Sequence, residues 1–592
     1  MLVVIRAVHY AAMAQLAGGV AFAMLVVPAR LGNCELSPAF LQRFRRLILG
    51  SAVLALLSWL LWLVPVAAEM AGISMAAIRG EVLMRVLAAT QFGHVWLLRV
   101  VLLMLVLALL VSLPAPLLHA RRRLASTLII AAITVASLAL SGHAAAQTGS
   151  AKLTALVSDA SHLVAASAWL GALLPFSIAL LTTPGISARY VLARRFSWLG
   201  IVSVALIVAS GVWNSSYLVG SWAALFGTDY GRSLLLKLAL VACMLMLAAA
   251  NRRMTPTLAT VDGNAIRAQR RIAHNAAIEA TIGAGVFVMV GVLGVSIPAV
   301  HDQPQWPFSF RIEFDSGAPR VVRAYPTTFA HPAVPYTTAA IAQGLATYQR
   351  NCVSCHGPHG RDDGRRADAL STRPADLTAA QVLAATPGDL YWWISEGVQG
   401  TAMPGFARTT DEKERWELVH LVRTIATAHA LDTSLATSRV RAPAFTYQLG
   451  DGMQATMPSR DRTTVTLVVL FTLPDSTRRL SELAQVVPQL QAENLLVLAF
   501  PFDGLPNRTA LDSPGTSILA TASPDVSMTY RLLSDVPPGE APHVEFLVDR
   551  DGWLRARWRA SSMLTIPELA SFVHTLPSGP GPGGMAMHGH HQ

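Results

Sequence analysis

The first half of the chain alternates between long apolar stretches and short polar connections. A helix needs about 20 apolar residues to cross the hydrocarbon core of a bilayer, and eight stretches reach that length. They are 3–27, 47–67, 92–113, 124–141, 153–181, 197–218, 232–250 and 276–299. Mean hydropathy over the whole chain is +0.46. We therefore predict a transmembrane bundle of eight helices over residues 1–300.

The connections between these stretches differ in charge, and this difference predicts an orientation. The odd-numbered connections are rich in arginine, whereas the even-numbered ones are close to neutral. The arginines of the odd connections are Arg30, Arg43, Arg45, Arg46, Arg121, Arg122, Arg123, Arg189, Arg194, Arg195, Arg252, Arg253, Arg267, Arg270 and Arg271. Since positive loops stay in the cytoplasm, both termini are expected on the non-cytoplasmic side of the membrane. Topology then accounts for the net charge of +11, and no nucleic-acid partner is expected.

The second half has the composition of a soluble protein and divides into further segments. Residues 301–334 are polar and rich in proline, which predicts a linker with one short strand over 308–314. Residues 335–430 form the next segment, and 411–430 at its end predict an amphipathic helix. Residues 445–577 predict a third domain. Its expected strands are 463–471, 494–500, 544–548 and 553–558, and its expected helices are 476–491 and 566–574.

A short motif in the segment 335–430 predicts a cofactor. Two residues separate Cys352 from Cys355, and His356 follows directly. This spacing is typical of covalent haem attachment, in which two thiols form thioethers and the histidine ligates the iron. Met403 follows in a turn with proline and glycine, which suits a sixth ligand. The alternative is zinc held by these three residues and His359, but structural zinc sites favour other spacings.

The surroundings of this motif resemble a class I cytochrome c over residues 335–430. The matching positions are Gly344, Tyr348 and Asn351 before the cysteines, and Trp392, Trp393 and Ile394 before Met403. The resemblance implies one covalent haem c, with Cys352 and Cys355 attached and His356 and Met403 as iron ligands. It also implies a periplasmic location, which agrees with the orientation predicted from the arginines. Methionine ligation raises the haem potential and suits an electron carrier.

Ionisable residues inside apolar helices are costly and are candidates for function. Five of them fall in the outer half of the predicted bundle or at its rim: His9, His94, His143, Asp159 and His162. Imidazole and carboxylate groups suit Cu(II), so the set predicts a copper site. For each histidine alone, a hydrogen bond between helices is the favoured interpretation, and the copper prediction rests on the convergence of the set on one side of the membrane. Ligation of b-type haem is a third alternative, although the inner side offers only His119 and His274.

Two sequence blocks of the membrane half resemble the copper resistance protein D family. They are SHLVAASAWLG at 161–171 and GSWAALFGTDYGR at 220–232. The resemblance is clearest over 155–255 and weaker over the rest of the eight-helix region. It implies passage or handling of copper at the inner membrane.

The order of elements over 445–577 resembles a thioredoxin-like fold. Residues 473–476 occupy the place of its redox Cys-x-x-Cys, and no cysteine occurs after Cys355, so thiol–disulfide chemistry is excluded for this domain. The tail over 578–592 is rich in glycine and proline. Its soft and borderline ligands predict copper capture, with an expression tag as the alternative; they are Met585, Met587, His588, His590 and His591.

Together these features predict a multidomain membrane protein with an all-α cytochrome and a C-terminal α/β domain. The expected function is copper transport or handling with one-electron transfer through haem c, which could couple the Cu(II)/Cu(I) change to copper uptake. Transport or electron carriage fits better than enzymatic turnover. The expected partners are the lipid bilayer, copper ions and a redox protein. The alternative is a membrane-anchored cytochrome subunit that exchanges electrons with a respiratory complex; a purely structural scaffold would not need the complete haem motif.

Overall fold

The computed structural model describes residues 1–28, 36, 38–113, 120–147, 149, 151–183, 185–315, 318–431, 440–449, 454–459, 463–502, 518–536 and 543–576. The chain divides into two compact units, Met1–Pro304 and Gln305–Gln592. The tail residues predicted to capture copper lie outside the described residues.

The first unit is a bundle of helices. They are α1 (Leu2–Ala21), α2 (Pro38–Ala71), α3 (Gly80–Ala89), α4 (Gln91–Val111), α5 (Arg121–Ala136), α6 (Ala151–Thr182), α7 (Ile186–Leu218), α8 (Trp222–Gly227), α9 (Asp229–Met254) and α10 (Gly263–Leu293). Within the described residues, eight helices are long and apolar enough to cross a membrane, and the short α3 and α8 are not among them. The predicted number of spans is confirmed.

The observed helices run further than the apolar stretches at their arginine-rich ends. The stretch 276–299 predicted the last helix, but α10 begins at Gly263. Its first turns are amphipathic: Ile272 is buried, whereas Arg270 and Arg271 are exposed. A helix can therefore continue beyond the apolar stretch that predicts it.

Helix α1 lies at the centre of the bundle. Of its membrane window 67% is buried, compared with 6% for that of α9. Two glycines allow α1 to contact α6 backbone to backbone: a Cβ at Gly18 would collide with the carbonyl of Ser167, and one at Gly171 with the carbonyl of Ala14. Small residues at such crossings are typical of helix packing in membranes.

The second unit begins with a β-hairpin where the sequence predicted a linker. Strands β1 (Phe310–Asp315) and β2 (Ala318–Arg323) pair antiparallel, so the single strand expected over 308–314 is one arm of the hairpin. Arg311 is buried and donates to Asp389 at 2.7 Å. This ion pair attaches the hairpin to the helices that follow, whereas a free linker would not be attached to them.

The helical part of this unit consists of α11 (Thr338–Asn351), α12 (Val353–His356), α13 (Ala380–Ala384), α14 (Pro387–Glu396) and α15 (Glu412–Ala430). Helix α15 begins with a reciprocal capping box between Asp411 and Glu414. Helices α11 and α15 cross closely, because a Cβ at Gly344 would collide with the carbonyl of Glu417.

The C-terminal part is α/β. Its elements are β3 (Phe445–Gln448), β4 (Gln454–Met457), β5 (Val465–Phe471), α16 (Thr477–Ala492), β6 (Leu495–Pro501), β7 (Thr521–Ala522), α17 (Pro524–Ser534), β8 (Val544–Val548), β9 (Leu554–Arg559) and α18 (Ile566–Thr575). One sheet has the order β6-β5-β8-β9, in which only β5 and β6 are parallel. A second sheet, β4-β3-β7, and helix α17 were not among the predicted elements.

The α/β part packs against the cytochrome-like helices. Arg557 of β9 donates to the carbonyl of Ala428, in the last turn of α15, at 2.8 Å, and to Leu533 of α17 at 2.6 Å. Thr338, at the start of α11, donates to Asp525 of α17. These buried contacts hold α11, α15 and α17 together, so the haem motif rests on a supported scaffold.

Candidate haem site and intramembrane polar clusters

The three residues of the haem motif are presented by one turn of chain. Helix α11 ends at Asn351, Cys352 is its C-terminal cap, and α12 is a single turn that ends at His356. Gly357 follows with φ of +77°, a conformation that favours glycine. Cys352 and Cys355 are free thiols and half-buried. Both thiols and the imidazole are therefore held close together without a disulfide.

The ring of His356 is oriented for ligation through Nε2. Its Nδ1 lies 2.9 Å from the carbonyl oxygen of Ala375, to which it donates. A carbonyl on one ring nitrogen fixes the tautomer and leaves the other nitrogen free as a ligand. Burial lowers the pKa of His356 from its usual value, against the opposing effect of the Ala375 bond. The neutral imidazole that iron requires is thus favoured.

The zinc alternative is not supported by this geometry. Among the residues that the structure describes, no three His, Cys, Asp or Glu side chains are grouped so as to hold a metal ion. The set that includes Cys355 and His359 is therefore not assembled as a zinc site.

Met403 lies on a loop fixed by backbone hydrogen bonds. The amide of Val398 donates to the carbonyl of Met403 at 3.2 Å, and the amide of Phe406 donates to Ile394 of α14 at 2.9 Å. Ile394 packs against the same apolar cluster as Cys352. Two free thiols, a histidine with an available Nε2 and a methionine on a fixed loop are the donor set of haem c, so the residues fit that cofactor.

Another histidine of this region, on α15, has a structural role. His420 is 4% exposed, and its Nε2 donates to the carbonyl of Val334 at 2.9 Å. It therefore supports the packing of α15, and the methionine loop remains the better source of a second ligand.

In the membrane unit, both ring nitrogens of His9 are engaged. Nδ1 lies 3.0 Å from the hydroxyl of Ser58 and 3.1 Å from the carbonyl of Ala55. The guanidinium of Arg99 lies 2.8 Å from Nε2. Because arginine can only donate, Nε2 must accept. Copper ligation by His9 stays a prediction, and it would require the displacement of Arg99.

Arg99 was missed by the sequence reasoning. It is fully buried, donates to the carbonyl of Thr134 and the hydroxyl of Ser137, and stacks 4.3 Å from the ring centre of Trp59. The signal was present in the sequence as a charged residue inside an apolar stretch. Lys237 of α9, which interacts electrostatically with Asp159, carried the same signal.

Three predicted copper residues lie in a second region. The Nδ1 of His162 is 3.0 Å from the hydroxyl of Ser210, and Asp159 is one turn away on α6. The carboxylate of Asp159 approaches Gly142 to within 3.6 Å of the position where a Cβ would stand. His143 follows Gly142, and its Nε2 is buried without a hydrogen-bond partner among the described residues.

The remaining member of the predicted copper set differs from the others in its exposure to solvent. His94 is exposed and donates to the carbonyl of Ala88 at 3.2 Å. Within the described residues, no three of the five are grouped so as to hold a metal ion. The copper site therefore stays a prediction.

Comparison with known proteins divides the chain into the same regions. The model "Copper resistance protein D-like, N-terminal domain" matches residues 1–153, and "Copper resistance protein D" matches 190–293. The model "Cytochrome C oxidase, cbb3-type, subunit III" matches 339–422.

Three curated relatives resemble the chain. Copper resistance protein D of Pseudomonas syringae pv. tomato is 32% identical over 276 residues, which cover 44% of this chain and 85% of the relative. The inner membrane protein YebZ of Escherichia coli is 31% identical over 35% of this chain and 70% of its own length. The copper transport protein CutJ of Bacillus subtilis is 27% identical over 51% of this chain and 54% of its own length.

Proposed function

The chain belongs to the copper resistance protein D family, and from this premise we propose that it handles copper at a bacterial inner membrane while its haem c domain carries single electrons. The observation that carries the proposal is the complete haem donor set of Cys352, Cys355, His356 and Met403 in the same chain as the membrane domain. Copper and haem iron both change oxidation state by one electron. Reduction of Cu(II) to Cu(I) would consume the one electron that a bound haem c supplies.

We propose that copper binds in the membrane domain through Asp159, His143 and His162. Since no three such side chains are grouped in the described structure, binding would require them to move together. The unpartnered Nε2 of His143 and the hydrogen bond that orients His162 support this assignment. His9 would instead support the packing of the bundle through Arg99. The Met- and His-rich tail, 578–592, would capture copper and deliver it to this region.

The proposed orientation places both termini and the cytochrome domain in the periplasm. The arginine-rich loops support it, as does the outer location in which haem c is attached. A redox protein of the periplasm or inner membrane would exchange electrons with the haem, and the bilayer would surround the eight spans.

We also propose that the C-terminal part has a thioredoxin-like fold. Its sheet order β6-β5-β8-β9, with β8 antiparallel to its neighbours and α16 between the parallel strands, supports this assignment. Without cysteines it would act by contact alone: Arg557 and α17 pack on α11 and α15, which suits a role in supporting the cytochrome.

The test is the copper content of the purified full chain with the haem oxidised or reduced. Wild type should bind copper, and the amount bound as Cu(I) should rise on haem reduction. His162→Ala should lose this copper and keep its haem, whereas a chain cut before Gly579 should keep the membrane copper. The matched control is His94→Ala, whose exposed ring should be dispensable. Copper occupancy that is indifferent to haem reduction would contradict the proposed coupling.

A second candidate function is a membrane-anchored cytochrome subunit of a respiratory complex. The match of residues 339–422 to a cbb3-type oxidase subunit favours it. In that case the intramembrane histidines could ligate b-type haem, and the optical spectrum would contain a b-type band. Copper lost only with the tail would also favour this candidate.

A further inference from the structure

One face of the β1–β2 hairpin is apolar and exposed. In antiparallel strands, residues that pair directly share a face of the sheet. This face therefore carries the pairs Phe310–Arg323, Ile312–Val321 and Phe314–Pro319. The exposed fractions of its large apolar side chains are 46% for Phe310, 57% for Ile312, 76% for Phe314 and 70% for Val321. The apolar face of the hairpin is thus turned away from the rest of its unit.

The opposite face is polar and contacts the protein. Arg311 is buried and donates to Asp389 at 2.7 Å and to Glu313 at 2.7 Å. An antiparallel sheet at the surface of a soluble domain normally packs its apolar face on the core and leaves its polar face in water. The hairpin has the reverse arrangement, and the buried ion pair with Asp389 holds it that way. An exposed apolar surface of this kind marks a contact with a membrane or a protein.

The hairpin follows the membrane-spanning unit closely in sequence. Helix α10, the last span, ends at Leu293, and the buried Ala299 belongs to the same apolar cluster as Leu293 and Val219. The unit ends at Pro304, and Phe310 follows six residues later. Six residues extend at most about 20 Å. The first strand therefore begins within reach of the membrane surface at which α10 ends.

The composition of the face and of the segment before it is typical of a membrane–water interface. The rings of Trp306 and Phe308 lie 5.3 Å apart, and the ring of Phe308 lies 5.9 Å from that of Phe310. Of the six paired positions on the face, Arg323 carries a positive charge and the others are uncharged. Tryptophan is enriched at membrane surfaces, and basic residues beside apolar ones bind anionic lipids. An arginine can reach a lipid phosphate while its stem lies on apolar surface.

The size of the face favours a bilayer over a protein partner. Six residues of strand extend about 20 Å and two strands are about 10 Å wide, so the face covers on the order of 200 Å². A stable protein interface buries about 800 Å² on each partner. The hairpin needs no such area to stay at a bilayer, because the membrane-spanning unit already tethers it there covalently.

We propose that this face of the hairpin lies in the lipid–water interface of the bilayer that the first unit spans. Phe310, Ile312, Phe314 and Val321 contact acyl chains, and Arg323 contacts lipid phosphates. Since the opposite face is attached to α14 through an ion pair, the contact holds the haem-bearing helices at the membrane surface. The proposal requires the first unit to span a membrane and does not depend on copper binding.

The test uses the full chain with its covalent haem, reduced, in nanodiscs of phosphatidylethanolamine and phosphatidylglycerol. In a background of Cys34→Ala and Cys243→Ala, a nitroxide is attached at Ile312→Cys or at Arg320→Cys. The matched control is Arg320, which is exposed and lies on the opposite face, paired with Glu313. Oxygen concentrates in lipid, whereas a nickel chelate stays in water. The ratio of oxygen to nickel collisions should be several-fold higher at Ile312→Cys than at Arg320→Cys.

A charge on the apolar face should release it from the bilayer. Val321→Asp, directly opposite Ile312, should lower the collision ratio at Ile312→Cys to that at Arg320→Cys. Val321→Thr, which is similar in shape and uncharged, should leave the ratio close to its original value. Unchanged haem content and haem spectrum in both variants verify that the second unit is folded.

Two outcomes would overturn the proposal. Equal collision ratios at Ile312→Cys and Arg320→Cys without the Val321 substitutions would mean that the face is in water. A label at Ile312→Cys that is shielded from both oxygen and nickel would mean that a protein surface covers the face. Neither outcome would contradict the proposed copper function.

Discussion

His356 and His9 are both hydrogen-bonded to neighbouring polar groups, but they differ in how many of their ring nitrogens are engaged. His356 donates from Nδ1 to the carbonyl of Ala375, and its Nε2 has no protein partner within the described contacts. His9 donates from Nδ1 to Ser58 and accepts at Nε2 from Arg99. One ring has a nitrogen without a partner among the described contacts, and the other has the guanidinium of Arg99 against its second nitrogen.

Residue type alone does not identify a histidine as a metal ligand. What identifies it is whether its second ring nitrogen is free of hydrogen-bond partners. A metal-binding histidine usually donates from one ring nitrogen to a carbonyl or carboxylate and binds the metal through the other. In the membrane unit, His143 meets half of this condition, because its Nε2 is buried and unpartnered in the described structure. Substitutions at both sites test whether this difference in hydrogen bonding decides which ring binds a metal.

Loss of the thiols should have the largest effect. Cys352→Ala together with Cys355→Ala removes both thioether bonds, so we expect complete loss of covalently bound haem, measured as haem stain on a denaturing gel and as the pyridine haemochrome spectrum. The control is Cys243→Ala, an exposed cysteine on α9, which should leave haem content at wild-type level. Covalent haem that survived the double substitution would contradict the site.

Met403→Ala should retain the haem and lower its reduction potential. Methionine as an axial ligand raises the potential, and axial ligands together span roughly 0.8 V, so a fall on the order of a tenth of a volt or more is expected in a redox titration. His359→Ala, an exposed histidine three residues beyond the motif, is the matched control and should leave the potential unchanged. An unchanged potential in Met403→Ala would assign the sixth ligand elsewhere.

The haem motif could be recognised in the sequence because its residues are close together. Cys352, Cys355 and His356 lie within one turn, so the motif states its own geometry, and α15 could be predicted from its apolar periodicity. The eight spans followed from length and hydropathy alone. These are local properties, and they do not depend on contacts with distant parts of the chain.

The parts that could not be predicted depend on contacts between distant positions. Arg99 meets His9 across 90 residues of sequence, and Arg311 meets Asp389 across 78. No pattern near His9 indicates that its second nitrogen is occupied, and no pattern in β1 and β2 indicates that they pair and carry a buried arginine. The polar, proline-rich composition of that segment is typical of a linker. The segment is nevertheless ordered, because the ion pair between Arg311 and Asp389 attaches it to the helices.

His9→Ala should reduce stability more than copper content. The substitution leaves a cavity against Trp59, whose ring centre lies 5.1 Å from that of His9, and removes the acceptor of Arg99. Cavity and lost hydrogen bond together should cost about 3 kcal/mol of unfolding free energy. His94→Ala, at an exposed position, should stay within about 0.5 kcal/mol. Denaturation in detergent, with copper content measured in parallel, distinguishes a packing role from ligation; copper lost at unchanged stability would make His9 a ligand after all.

The smallest effect is expected at His420, the buried histidine of the cytochrome region that is tied to Val334. Burial lowers the pKa of His420, Arg423 acts in the same direction, and the Val334 bond opposes them. The folded ring therefore binds fewer protons than the unfolded one, so stability should fall as pH drops below the ordinary value of about 6.5. The contribution cannot exceed about 1.4 kcal/mol per pH unit for one proton. His420→Gln keeps a donor for Val334 but does not titrate, so its denaturation, followed by haem absorbance at several pH values, should show a shallower dependence with an unchanged haem spectrum. A steeper dependence, or a shifted spectrum, would mean that His420 reaches the iron and that the contrast between offered and occupied nitrogens does not hold in this domain.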